Sequence, residues 1–120
     1  FRICLVLHGN AIWDINGRKF AVEEGDVVFL NSQKRRLVTF GEDGFLFAAF
    51  CLERSAFSNP YHFLFFLDCV KKHDGVKKAH PFSDYLQKAY TEVQEGSHLR
   101  FEMASSLLTE FFIKSAEEVF

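Results

Sequence analysis

The chain has 120 residues, which is enough for one domain with a substantial core and too short for two. It is 48% apolar and contains 16 phenylalanines, a composition that argues against disorder. A net charge of −2 gives no reason to expect a nucleic-acid surface, and no apolar run is long enough to cross a bilayer. Because the chain starts at Phe1, inside a strand-like run, we interpret it as a piece of a longer protein.

The three cysteines, Cys4, Cys51 and Cys69, are odd in number and show no C-x-x-C spacing. This pattern is typical of reduced, mostly buried thiols in a cytoplasmic protein. Cys51 falls in the most apolar segment of the chain, where we expect its thiol to be buried and inert.

The first half of the chain shows short strand-like runs separated by turn residues. Residues 2–8 form the first run, and Gly9-Asn10 is predicted to turn the chain into a hairpin. Asn16-Gly17 then predicts a type I′ turn, because both residues tolerate positive φ. This turn places Trp13 opposite Phe20. It also puts four apolar residues on one face, namely Trp13, Ile15, Phe20 and Val22.

Further strand and turn signals continue to residue 52. Glu23 to Asp26 make a corner, and residues 27–30 resume as a strand before a polar loop at 31–34. Residues 35–40 predict another strand, and residues 41–44 predict a turn. Residues 45–52 are apolar on both faces, which is typical of a strand that is covered on both sides. Short strands at this spacing, with no helix between them, predict a small β-barrel or sandwich over residues 1–58.

Residues 59–80 are predicted to connect the barrel to the last part of the chain. Within them, residues 61–70 are compatible with either a strand or a short helix, because periodicity does not distinguish the two. Residues 71–80 predict a charged loop around Gly75.

Residues 81–120 predict two antiparallel helices. The first begins at Pro81 or Ser83 and ends at Gly96, and Ser97 can cap the second. The second helix is apolar over more than one face, so one part of it needs a partner beyond the barrel and the first helix. We predict a homodimer interface centred on Leu107, Leu108, Phe111 and Phe112, although the barrel could also cover this surface.

The order of these elements resembles the N-terminal sensory and dimerisation domain of AraC-type bacterial transcriptional regulators. The resemblance depends on Ile15-Asn16-Gly17, on the corner Gly25-Asp26 with the apolar strand that follows, on residues 45–52, and on the helix pair at 82–120. It implies a mainly β fold with α, in which a cupin-like, jelly-roll type small barrel precedes an antiparallel two-helix unit. It also implies that DNA is bound by a C-terminal pair of helix-turn-helix units outside this chain.

Cupin enzymes usually hold a metal through H-x-H spacing and two further ligands, and this chain has no such spacing among His8, His62, His73, His80 and His98. The expected ligand positions are apolar or are arginine, which has no lone pair for a metal. We therefore predict no metal, no cofactor and no catalytic activity.

A ligand site is predicted inside the barrel, where a small barrel either packs side chains or holds one small molecule. Small Ala49 shares a strand face with bulky aromatics, and Arg36 near the mouth suits a carboxylate or phosphate. The predicted ligand-binding residues are Trp13, Asn31, Arg36, Val38, Phe47 and Ala49. For each residue alone, core packing or solvent exposure is the simpler interpretation.

Three functions remain open on the sequence. The first is a small-molecule sensor whose barrel binds an effector and whose helices form a homodimer. The second is a dimerisation module with a packed barrel, which the 16 phenylalanines favour. The third is a metal-free cupin enzyme, against which the missing ligand pattern counts.

Overall fold

A computed structural model describes residues 2–30, 36–57, 59–72, 75–78 and 80–118. Its strands are β1 (Arg2–Ile15), β2 (Arg18–Glu23), β3 (Val27–Leu30), β4 (Arg36–Cys51) and β5 (Gly75–Lys77), and its helices are α1 (Pro60–Lys72), α2 (Ser83–Glu95) and α3 (Arg100–Glu118), with a 3₁₀ turn at Arg54–Ala56. The fold is therefore a mixed one, in which a curled antiparallel sheet precedes and packs against helices.

The predicted β1–β2 hairpin is confirmed, including its register. Trp13 pairs with Phe20 and Asp14 with Lys19. Asn16 and Gly17 take positive φ values of 52° and 86°, and the Asp14 side chain accepts a hydrogen bond from the Gly17 amide at 2.8 Å. Local turn chemistry is sufficient to set this register.

The predicted turns at Gly9-Asn10 and at residues 41–44 are wrong, because the chain does not reverse at either place. β1 and β4 pair along their whole length, from Arg2 opposite Cys51 to Ile15 opposite Arg36. The pairing shifts between Gly9 and Ala11, where residues 41–44 of β4 stand opposite Asn10. The glycines thus form an irregularity in two long strands.

This irregularity requires glycine at position 9. Gly9 has φ +79°, and a Cβ there would lie 2.3 Å from the Gly44 carbonyl oxygen. Any side chain would therefore push the two strands apart at this level, where bulges bend a sheet. The shift in pairing and the close backbone contact together mark the level at which β1 and β4 curl.

The sheet curls far enough to bring its two ends together. Leu30 pairs with Arg2 at one end of β1, and Arg36 pairs with Ile15 at the other end. The connection from Leu30 to Arg36 reaches at most roughly 21 Å, whereas a straight β1 would be roughly 43 Å long. Ile15 and Leu30 accordingly lie in one buried cluster.

The Gly25-Asp26 corner is confirmed and connects β2 to β3. Asp26 is buried, and its carboxylate accepts hydrogen bonds from the Glu23 amide and the Lys78 ammonium group. The Val6 amide bonds to the Asp26 carbonyl, and the Gly25 amide bonds to the Val6 carbonyl, each at 3.0 Å. The corner therefore allows β2 to pair with the second half of β1 and β3 to pair with the first half.

The curled sheet has a core on each side of its first half. The concave side buries eight residues, namely Cys4, Val6, Ala11, Trp13, Ile15, Val22, Val28 and Leu30. The convex side packs Ile3, Leu5, Val27 and Phe29 against the helices through a group that includes Phe66, Leu86, Phe111 and Phe112. Alternate residues of β1 therefore serve two different cores, as a period of two requires.

The segment between the curled sheet and the two C-terminal helices contains a helix and a strand of its own. Residues 61–70, whose sequence is compatible with either a strand or a helix, belong to helix α1. The predicted charged loop at 71–80 is partly wrong, because β5 within it pairs antiparallel with β3, placing Val76 opposite Val28. β5 thus extends the sheet at the edge away from β4.

The two predicted C-terminal helices are confirmed. α2 ends where the Gly96 amide bonds to the Glu92 carbonyl at 2.8 Å, and Ser97 Oγ accepts a hydrogen bond from the Leu99 amide before α3 begins. α2 buries Leu86 and Ala89. On the predicted α3 stripe, Phe111 and Phe112 are each 0% exposed, so the convex core holds them.

Residues 45–52 are not covered on both sides as predicted. Ala48 and Leu52 are buried, but Leu46, Ala49 and Cys51 are exposed. The physical reason is that this part of β4 pairs with β1 alone among the described strands, so it lies at the sheet edge. Cys51 is therefore an exposed free thiol, and the expectation that it is buried is wrong.

Candidate functional site

The concave face carries four of the six predicted ligand-binding residues, namely Trp13, Val38, Phe47 and Ala49. Val38 is the cross-strand partner of Trp13, so both side chains stand on the concave face. Phe47 meets the Trp13 ring edge-on, with ring centroids 5.7 Å apart and planes at 77°. The curl of the sheet is what brings Phe47 over Trp13, because the two residues belong to different halves of it.

Trp13 is 1% exposed, and its indole Nε1 is buried without a hydrogen-bond partner in the described part of the chain. A buried donor left without an acceptor costs about 1–3 kcal/mol relative to a satisfied one. Most native structures avoid this cost, so each exception requires an explanation. An acceptor supplied by a bound molecule is one explanation.

Beside the buried Trp13 ring, two β4 residues of the concave face are exposed to solvent. Phe47 is 39% exposed, and Ala49 is exposed beyond it on the same face. Ala49 pairs with buried Cys4, which places its small side chain on the concave face. The buried Trp13 ring therefore lies directly beside an exposed aromatic ring on this face.

The two predicted polar residues are not part of the described site. Asn31 lies outside the described residues. The backbone of Arg36 pairs with Ile15 at the start of β4, and the structure describes only the backbone of Arg36. A charged anchor for a carboxylate or phosphate therefore stays a prediction.

A separate cleft of about 430 Å³ lies on the outer side of the second half of the sheet. Its lining consists of Asn10, Ala11, Ile12, Ala21, Val22, Glu23, Thr39, Gly41 and Lys78. The Lys78 ammonium donates to the Ala21 carbonyl at 3.2 Å and to Asp26, and it lies 3.9 Å from Glu23. Since protein groups already compensate its charge, Lys78 acts as a brace between β2 and the corner.

A buried histidine joins the sheet corner to both C-terminal helices. The His80 amide bonds to the Gly25 carbonyl at 3.3 Å, and its Nδ1 accepts a hydrogen bond from the Phe82 amide at 3.0 Å. The proton is therefore on Nε2, which lies 3.4 Å from the hydroxyl of buried Ser115 in α3. Burial, aided by the positive charge of Lys77, lowers the pKa of His80 from 6.5 to about 4.

Sequence reasoning missed His80 and Lys78 because their partners are distant in the chain. The one local signal was the position of His80 directly before Pro81 and the start of α2, where an acceptor can satisfy a free helix amide. Its contact with Ser115 spans 35 residues and has no local signature.

The described residues were compared with what a metal site and a membrane-spanning helix require. Across residues 2–30, 36–57, 59–72, 75–78 and 80–118, no three His, Cys, Asp or Glu side chains come close enough to hold a metal ion. None of the helices in these ranges has the length and apolar character needed to cross a membrane.

The exposed part of α3 differs from the predicted interface. Leu107 and Leu108 are half-buried, whereas Phe111 and Phe112 do not reach the surface. Met103 is 51% exposed and lies one turn before Leu107, so these two residues share a face. A contact with a second copy through α3 would use this face.

No family model and no curated protein matches the sequence.

Proposed function

We propose that this chain is the effector-sensing and dimerisation domain of an AraC-type transcriptional regulator, with a cupin-like barrel as the sensor. The observation that carries the proposal is the unpartnered, buried Nε1 of Trp13, whose ring contacts the exposed ring of Phe47 on the concave face. The ligand is a small, largely apolar molecule with one hydrogen-bond acceptor. Such sites are typically apolar, with few polar groups that fix orientation.

The proposed signal passes from the sheet to α3 through His80. This side chain contacts the Gly25 corner, the start of α2 and Ser115 of α3, and its ring centroid lies 4.9 Å from that of Phe111. A ligand changes the helices only if its affinity differs between two arrangements of this junction. The contacts around His80 supply a continuous physical route for such coupling.

A dimerisation module with a packed barrel is the second candidate. Trp13, Val22, Val28 and Leu30 are each at most 2% exposed, and the cleft of about 430 Å³ lies outside the concave face. In this alternative the Trp13 donor is a tolerated cost, and the helices carry the whole function.

Thermal unfolding with matched fragments separates the two candidates. We expect benzoate and benzamide, which offer an acceptor, to raise the melting temperature by mass action, and toluene to do so less. In the Trp13→Phe variant, which lacks the indole N–H, benzoate and toluene should have equal effects. Equal effects of all three fragments on the unaltered chain would favour the packed module.

The regulator assignment has its own test, which is the sequence encoded directly after Phe120. Two helix-turn-helix patterns there are expected. Any other kind of domain at that place would remove the transcriptional part of the proposal while leaving the ligand site to be judged by the fragments.

A further inference from the structure

The second half of β4 has a long unprotected edge. In the described part of the fold, β4 pairs with β1 alone, which leaves the backbone groups along its other edge without strand partners. Natural proteins usually protect such an edge with lysine, proline or a very short strand. The stretch from Phe45 to Cys51 reads FLFAAFC and contains neither charge nor proline.

Four of the seven side chains in this stretch are exposed. Leu46 is 53% and Phe47 39% exposed, and Ala49 and Cys51 are also exposed. Exposed apolar side chains beside an open strand edge are typical of a surface that pairs with another strand.

The edge is complementary to itself in one antiparallel register, centred on Ala48. On the concave side, Phe47 would stand opposite Ala49 of the second copy, and Phe45 opposite Cys51. Each ring then faces a small side chain, in both directions, as a two-fold axis requires. A register centred on Phe47 would oppose the two Phe47 rings, and one centred on Ala49 would run past the strand end at Cys51.

We propose that two copies of this chain pair through the outer edges of β4, antiparallel and centred on Ala48, to form one continuous sheet. This interface is distinct from the helical contact and independent of the proposed sensory function. Pairing in the plane of the sheet leaves the concave face open.

Site-specific disulfide formation tests both the partner and the register. In a Cys51→Ser background, which removes the exposed thiol, Ala48→Cys is oxidised with diamide and the covalent dimer is measured on a non-reducing gel. Directly opposed residues have Cα atoms about 4.5–5.5 Å apart, which is within the range of about 4.4–6.8 Å that a disulfide spans.

Leu46→Cys in the same background is the matched control. In the proposed register, residue 46 opposes residue 50, and the two residues 46 lie roughly 13 Å apart along the strand. We expect several-fold more covalent dimer from Ala48→Cys than from Leu46→Cys, although Leu46 is the more exposed position. Equal yields, or more dimer from Leu46→Cys, would overturn the proposed pairing.

A charge on the edge gives a second readout that does not depend on a thiol. Leu46→Lys places an ammonium group on an exposed position, so the fold should be retained, which far-UV circular dichroism checks. Introduced into the Ala48→Cys chain, it should reduce covalent dimer to the level of the Leu46→Cys control. Undiminished cross-linking in a folded Leu46→Lys chain would contradict edge pairing.

Discussion

At the scale of single residues, His80 makes the clearest prediction about pH. Its folded pKa of about 4 lies below the ordinary 6.5, so the unfolded chain binds a proton that the folded chain does not between these values. The free energy of unfolding should therefore fall as the pH drops from about 6.5 towards 4, by at most about 3 kcal/mol. Urea unfolding at pH 7 and pH 4.5 measures this loss.

The control for this prediction is a pair of asparagine variants. His80→Asn keeps an acceptor for the Phe82 amide but cannot take up a proton, so it should lose less stability on acidification than the unaltered chain. His98→Asn makes the same change at an exposed histidine and serves as the reference, so His80→Asn should show the weaker pH dependence of the two variants. Equal pH dependence in all three chains would show that His80 does not titrate on unfolding.

Gly9 tests the bend in the sheet, with Gly25 as its matched control. Both have positive φ, +79° and +90°, but only Gly9 would place a Cβ against a backbone oxygen. Gly25→Ala should cost about 1–2 kcal/mol of stability for its backbone conformation alone. Gly9→Ala should cost clearly more in chemical denaturation. A cost equal to that of Gly25→Ala would mean that the two strands separate easily at this level.

At the scale of elements, α3 has a buried and an exposed apolar side. Phe112→Ala should lower stability by about 3–5 kcal/mol, because its ring stacks on Phe66 in the convex core with centroids 4.5 Å apart. Ile113→Ala, on the exposed side, should change stability by about 0.5 kcal/mol or less. Urea unfolding of both variants measures the difference, and similar losses would mean that α3 is rotated from the described orientation.

The exposed side of α3 also carries the prediction of helical dimerisation. Met103→Glu with Leu107→Glu should abolish this contact, since the two residues lie one turn apart on one face. The measurement is sedimentation in a Leu46→Lys background, which removes any contribution from β4, and the expected change is from dimer to monomer. Ile113→Glu on another face should leave the dimer intact, and a dimer that survives the double substitution would place the contact elsewhere.

Elements with local signals were predictable from the sequence, and those defined by distant partners were not. Asn16-Gly17, the Gly25-Asp26 corner and the ends of α2 depend on turn and cap chemistry within a few residues. The dipeptide Gly9-Asn10 is also typical of a turn. Only its contact with Gly44, across the sheet, shows that the chain continues. β5 likewise exists because Val28 lies beside Val76.

The same division applies to the candidate site. Alternation paired Trp13 with Phe20 and made Val38 and Phe47 separate interior candidates, but the two lie nine residues apart in β4. They share a face only because the pairing shifts beside Gly9. The exposure of Ala49 and Cys51 was not predictable, because composition cannot distinguish a central strand from an edge strand. His80 joins the corner to α3 through tertiary contacts alone.

At the scale of the whole molecule, the curl of the sheet connects structure to function. It buries Trp13 against Phe47, it forms the convex surface on which the helices pack, and it places the corner beside His80. Because Trp13 is the only tryptophan in the chain, its indole group reports on the concave face without interference from other residues.

The central claim is that Trp13 Nε1 is the donor of a ligand site on the concave face, and the single indole cross-peak in a ¹H–¹⁵N spectrum tests it most directly. On titration with benzoate, the account predicts that the indole proton moves downfield and saturates as it gains an acceptor, whereas toluene causes no comparable downfield shift. An indole peak that stays in place while backbone peaks of Thr39 and Gly41 in the outer cleft move would contradict the account.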